Sequence, residues 1–163
     1  MPIVKKLLEY LKKNNIAFKH LNHPEAFTSQ QVAQAQHVSG NQFAKVVIVK
    51  NGKKFEMAVL PAPDKISIEK LKNLMGVKEC RLATEPEMKE LFPDCEVGSM
   101  PPFGNLYNMN VYVDQDLAIQ SDIVFDAGSH KDTIQMKYQD FSKLVKPQIG
   151  KFGILETKLK LAA

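Results

Sequence analysis

The segment from residue 44 to residue 60 limits the fold more than any other part of the chain. Ala44 to Lys50 is rich in β-branched residues, Asn51-Gly52 supplies the positive φ of a tight turn, and Lys54 to Leu60 returns. Pro61 and Pro63 then close the ribbon. A hairpin this regular predicts a sheet, and the rest of the sequence says what surrounds it. Ile3, Val4, Leu7, Leu8 and Leu11 recur at helical spacing and predict an amphipathic helix ending at Asn14-Asn15. A short strand is expected over 17–21, and Thr28 or Ser29 can cap a helix to about Gln36.

Beyond the hairpin, Ser67 caps a helix carrying Ile68, Leu71, Leu74 and Met75, which Gly76 stops. Val77 to Leu82 reads as a strand. Thr84-Glu-Pro-Glu87 is a capping box opening a helix to about Phe92. Strands are expected at 110–114, 122–127 and 133–137, with a helix at 138–145 before Lys146-Pro147. Interleaved helices and short strands predict an α/β domain of the α+β type spanning 1–163, its central sheet mixed and largely antiparallel.

Composition narrows the function classes. The chain has 163 residues, 44% of them hydrophobic, enough for one core without disulfides or metal. Apolar runs reach only about five residues, far short of a membrane span, and the N-terminus lacks a signal core. Cys80 and Cys95 form no CxxC, which suits a reducing cytoplasm and gives no zinc framework. Charge is uneven, with +7 over 1–54, −6 over 55–145 and +3 over 146–163. Basic ends around an acidic middle suit either a polyanion partner or a lysine-rich solvated surface. With 21 Lys and one Arg, bidentate base readout is disfavoured, and any nucleic-acid contact should be to phosphate.

Three places can carry chemistry. Lys45 shares a strand face with Phe43, Val47 and Val49, so it needs a partner or a cavity, or it snorkels to water. Gly98-Ser-Met-Pro-Pro-Phe-Gly104 is neither helix nor regular strand; it either lines a small pocket, with Met100 and Phe103 as walls, or merely connects elements. Gly128, Ser129 and His130 sit at a strand tip, where His130 is a base, a donor, a phosphate contact or an exposed turn residue. No base is spaced to activate Ser129, so covalent serine catalysis is not expected. His20 and His23 lie three apart without HExxH, and no metal is expected. Walker and GxGxxG loops are missing.

Ala35-Gln-His-Val-Ser-Gly40, Ala44-Lys45-Val-Val-Ile-Val, Ala58-Val-Leu-Pro61, Gly98-Ser-Met-Pro-Pro-Phe-Gly104 and Ala127-Gly-Ser-His130, in that order, resemble the YbaK/ProX family. These are freestanding aminoacyl-tRNA deacylases related to the editing insertion of bacterial prolyl-tRNA synthetase. The resemblance covers essentially the whole chain and implies the YbaK/ProRS-associated fold. It also implies hydrolysis of the ester between a wrong amino acid and the tRNA 3′-adenosine, with no obligatory metal, cofactor or covalent nucleophile. The family's lysine matches Lys45, its glycine–proline loop Gly98, Ser99, Met100, Pro101, Pro102, Phe103 and Gly104, and its tip Gly128, Ser129 and His130. Val38-Ser39-Gly40 stands where many members have Val-Pro-Gly.

The expected enzyme is a cytoplasmic trans-editing deacylase acting on mischarged tRNA, with tRNA-Pro as acceptor and prolyl-tRNA synthetase as associated partner. Neither membrane nor DNA is expected as a partner. Lys45 and His130 are the catalytic candidates, Phe27 joins the loop and tip residues around substrate, and Lys5, Lys6, Lys12 and Lys13 face tRNA phosphates. A non-catalytic module binding aminoacyl-tRNA or an amino-acid-like ligand is the alternative. The identity of the amino acid removed is not legible.

Overall fold

The computed structural model describes residues 4–22 and 39–155. In chain order the first half gives α1 (Lys5–Lys13), β1 (Phe18–Asn22), a 3₁₀ turn (Gly40–Gln42), β2 (Ala44–Asn51), β3 (Lys54–Pro61), β4 (Asp64–Ile66) and α2 (Ile68–Met75). The second half gives β5 (Arg81–Leu82), α3 (Glu85–Leu91), a 3₁₀ turn (Gly104–Tyr107), β6 (Val111–Asp114), α4 (Gln115–Ala118), β7 (Asp122–Ser129), β8 (Asp132–Lys137), α5 (Tyr138–Val145), β9 (Gln148–Gly150) and β10 (Gly153–Leu155).

The hairpin forms as its sequence dictates. β2 and β3 pair antiparallel from Ala44–Pro61 to Asn51–Lys54, and Gly52 takes φ +62° at the turn. It is the heart of a five-stranded mixed sheet ordered β5-β2-β3-β6-β9, in which β6 runs parallel to β3 and to β9. A separate antiparallel sheet, β1-β8-β7, meets it where Phe43 and Val124 make a parallel bridge. β4 and β10 form a small third ribbon. The architecture is therefore α+β, with a mixed central sheet.

Strand alternation gives the large sheet two buried faces. Ile48, Met57, Val59, Val111 and Val113 enter the main core with Leu7 and Leu11 of α1, Phe103, Phe125 and Phe141. Val49, Ala58, Leu60 and Tyr112 face the other way, against Leu71 of α2 and Phe152. The caps behave as read: Ser67 Oγ accepts from the Lys70 amide, Gly76 closes α2 at φ +71°, and Thr84 with Glu87 forms a capping box.

Several boundaries differ from expectation. The strand over 77–82 shrinks to Arg81–Leu82, because the Val77 amide is still bonded to the Lys72 carbonyl at the end of α2. β7 runs on through Gly128-Ser129, and β1 is shifted by one residue. Three-residue strands β4, β9 and β10 and the one-turn α4 are too short to carry a period. The helix expected over 28–36 lies outside the described residues.

Asp114 ties these short pieces together. It is fully buried; its Oδ2 accepts from the amides of Phe152 (3.0 Å) and Gly153 (2.7 Å), and its Oδ1 from the Asp116 amide (2.9 Å). One carboxylate thus caps α4 and holds β10 beside β6. Asp114→Ala leaves buried amides without an acceptor and should destabilise the protein by about 3–5 kcal/mol, measured by urea unfolding.

Candidate active site

Lys45 lies on the second face of the large sheet, opposite Leu60 and in line with Val47 and Val49. Its side chain is half-buried, and Nζ donates to the backbone carbonyl of Asp64 in β4. Of the readings left open by pattern, the lysine has a protein partner. β4 holds that carbonyl in place through its pairing with β10, which Asp114 anchors.

Around Asp64 the fold assembles a charge cluster that sequence spacing hides. One carboxylate oxygen each from Asp64, Asp114 and Asp116 lies within 4.8 Å of the others. Burial pushes the Asp64 carboxyl upward, with Lys151 pulling it back and the two aspartates adding to the rise. Lys151 Nζ stands 2.8 Å from Asp116 and 3.5 Å from Asp114. Oxygen donors of this kind suit a hard cation, but the ammonium of Lys151 already provides the cluster with one. A cavity of about 420 Å³ opens beside it, lined by Asp64, Asp116, Lys151 and Gly153 among others.

The second region joins the glycine–proline loop to the Gly-Ser-His tip through backbone. The Gly128 amide donates to the Ser99 carbonyl (2.9 Å), and the Glu96 amide donates to the Gly128 carbonyl (2.9 Å). The Val4 amide, just before α1, donates to the Ala127 carbonyl (2.9 Å). Gly128 sits at φ +101°, and a Cβ there would lie 2.3 Å from Val4 Cγ2, so only glycine fits. Ser99 is folded onto Glu96, with its amide and its Oγ both donating to the Glu96 carbonyl.

The loop is less open than its composition implies. Ser99, Met100, Pro101, Pro102, Phe103 and Gly104 are all buried. Met100 and Phe103 turn into the main core, where Phe103 meets Tyr10, Phe125 and Phe141, so they support the loop from beneath. Gly98 alone is exposed; at φ +87° it presents its backbone, and its amide donates no hydrogen bond among the described residues.

His130 packs against that glycine, its Cε1 3.4 Å from where a Gly98 Cβ would stand. His130 Nε2 is 2.9 Å from the Val97 carbonyl. A carbonyl only accepts, so Nε2 carries the hydrogen and Nδ1 is the acceptor of the neutral ring. The His130 amide donates to Glu96 Oε2 (3.2 Å). Asp126, unmarked by any motif, lies close by in β7; burial pushes its carboxyl up to about 6, with His130 opposing the rise and Glu96 adding to it.

Ser129 is buried, and its Oγ donates to Asp132 Oδ2 (2.9 Å), while Asp132 Oδ1 meets His20 Nε2 at 2.7 Å. The order is serine–aspartate–histidine, so no imidazole can take the serine proton. Burial raises the Asp132 carboxyl, but bonds from His20, Asn22 and Ser129 outweigh it and hold the group below its ordinary range. Burial pushes the Cys95 thiol up to about 12, which removes it as a nucleophile. Phe27 and His23 lie outside the described residues.

On α1 the four lysines divide. Lys6 stands 3.6 Å over the Tyr107 ring and 3.8 Å from Asp94, so it is engaged in packing. Lys5 is 4.0 Å from Glu9, and Lys12 and Lys13 are exposed in the last turn. Among the described residues no helix is long and apolar enough to cross a membrane.

The Phe43–Val124 bridge relates the two regions. Lys45 on β2 and Asp126 on β7 each follow that single parallel bridge by two residues, and Phe43 and Val124 pack there with Ala62.

The profile of a family described as aminoacyl-tRNA editing domain matches residues 23–144. The multifunctional Ser/Thr-tRNA deacylase ProXp-y of Escherichia coli K12 is 24% identical over 152 residues, covering 90% of each chain. Proline–tRNA ligase of Thiobacillus denitrificans is 27% identical over 116 residues, 71% of this chain but only 20% of that much longer enzyme. Among solved structures, a protein provisionally assigned as a trans-editing enzyme for prolyl-tRNA synthetase superposes with a TM-score of 0.81 at 20% identity, covering 92% of this chain and 96% of that one.

The junction of loop and tip makes Gly128→Ala a sharp test. Strain at positive φ plus the clash with Val4 should cost roughly 2 kcal/mol or more of stability, read by thermal unfolding, whereas Gly52→Ala, at an open turn, should cost less.

Proposed function

Because the chain belongs to the aminoacyl-tRNA editing domain family, and so hydrolyses the aminoacyl-tRNA ester, we propose that it acts in trans on tRNA-Pro carrying a wrong, small amino acid. Serine and threonine head the candidates, since the E. coli relative is named for them. Prolyl-tRNA synthetase is the enzyme whose errors it corrects, and the cytoplasm is where it meets charged tRNA.

The observation that carries this reading is the exposed Gly98 amide, which has no acceptor among the described residues and sits beside His130. An ester carbonyl bound beside it can take that N–H as the donor to the oxygen on which charge develops during attack. Lys45, oriented by the Asp64 carbonyl, anchors the terminal phosphate and fixes the ester's direction. His130, with Nε2–H committed to Val97, offers Nδ1 to the adenosine or to water. Water is the attacking group, because Ser129 is bound to a carboxylate and the Cys95 thiol is held protonated. Lys12 and Lys13 extend the contact to the phosphate backbone as point charges.

The test is release of amino acid from a panel of tRNAs mischarged with Ala, Ser, Thr or Cys, with and without chelator. Lys45→Ala should keep the fold by circular dichroism and lose at least about 100-fold in rate; full activity would remove Lys45 from the site. Binding without release across the panel would favour a carrier module. Raising salt from 50 to 200 mM should weaken tRNA binding, and a flat profile would count against the lysine contacts.

A further inference from the structure

We propose that Asp126 is the general base that activates the hydrolytic water, an assignment that rests on the deacylase reading above. Three observations of position carry it. Asp126 stands on β7 two residues beyond the Phe43–Val124 bridge, where the two sheets meet, and the His130 and Glu96 charges act on it there. A register shift between Asp126 and Ser129 re-aims the strand, bringing His130 and its Val97–Gly98 contact to the same end. Asp126 also accepts no hydrogen bond among the described residues, unlike its acidic neighbours. Glu96 is taken by the His130 amide, Asp132 by His20, Asn22 and Ser129.

The groups that set its charge are His130 from the tip and Glu96 from the segment before the loop, with the uncharged Thr133 opposite it on β8. Burial outweighs His130 and lifts the carboxyl to about 6. A carboxylate held there is mostly ionised at neutral pH yet basic enough to take a proton in the transition state. In the step itself, Asp126 removes one proton from water as the water oxygen bonds to the ester carbonyl carbon. The carbonyl oxygen gathers negative charge against the Gly98 N–H. Collapse breaks the bond to the ribose oxygen, which takes the proton from the Asp126 carboxylic acid. The products are the free amino acid and tRNA with its terminal hydroxyl restored.

Asp126→Asn keeps shape and removes the base. In single-turnover deacylation of the best substrate from the panel, kcat should fall at least about 100-fold with tRNA affinity unchanged. The wild-type rate should rise through a limb near pH 6 that the variant lacks, and Asp126→Glu should restore part of the rate. Stability gives an independent readout. A carboxyl raised in the folded state stabilises below its unfolded value and loses that contribution as pH climbs through about 6. Asp126→Asn should therefore gain in stability relative to wild type between pH 4 and pH 7. A variant within threefold of wild type, or a wild-type rate with no limb between pH 5 and 7, overturns the assignment while leaving the deacylase reading intact. A wild type inactive on the whole panel overturns both.

Discussion

The site depends on a two-residue stretch of backbone, Ala127-Gly128, at the end of β7. Its carbonyls and amide accept from Val4 and Glu96 and donate to Ser99, so the start of α1, the glycine–proline loop and the strand tip share one junction. The arrangement needs φ +101° and a Val4 methyl within 2.3 Å of where a Cβ would be. Any side chain at that position must push the helix away from the sheet. With glycine there, His130 is delivered to the face of Gly98 and the loop amide beside it stays exposed.

Lys45 is positioned by a second, independent route. Its ammonium answers to a backbone carbonyl in β4, which is paired with β10, which in turn hangs from the buried carboxylate of Asp114. Neither route uses a side chain that would touch substrate. The two arms of the candidate site are fixed by backbone and by a buried carboxylate, a rigid support of the kind pre-orientation requires. The Phe43–Val124 bridge is where the small sheet meets the start of β2.

The acidic middle of the chain also takes on a different meaning in three dimensions. Asp64, Asp114 and Asp116 converge on Lys151 and serve the scaffold. Asp132 organises the β1–β8 edge with His20 and Ser129. Asp126 accepts no hydrogen bond among the described residues, and burial pushes its carboxyl up to about 6. The same composition thus holds structural anchors and a candidate base, separated by the charged groups that surround each carboxyl.

Local chemistry was legible in the residues themselves. The Asn51-Gly52 hairpin, the Ser67 and Thr84 caps, the Gly76 stop and the face shared by Lys45, Val47 and Val49 all appear where composition and period place them, because each depends on neighbours within a few positions. The ordered motifs likewise sufficed for the family. What a one-dimensional pattern does not hold is which distant groups meet. That Met100 and Phe103 turn inward, that Ser129 answers to Asp132, and that Asp126 stands unengaged near His130 follow from strand pairing across tens of residues. Burial and hydrogen-bond partnership decide a carboxyl's role, and both are properties of the packed chain.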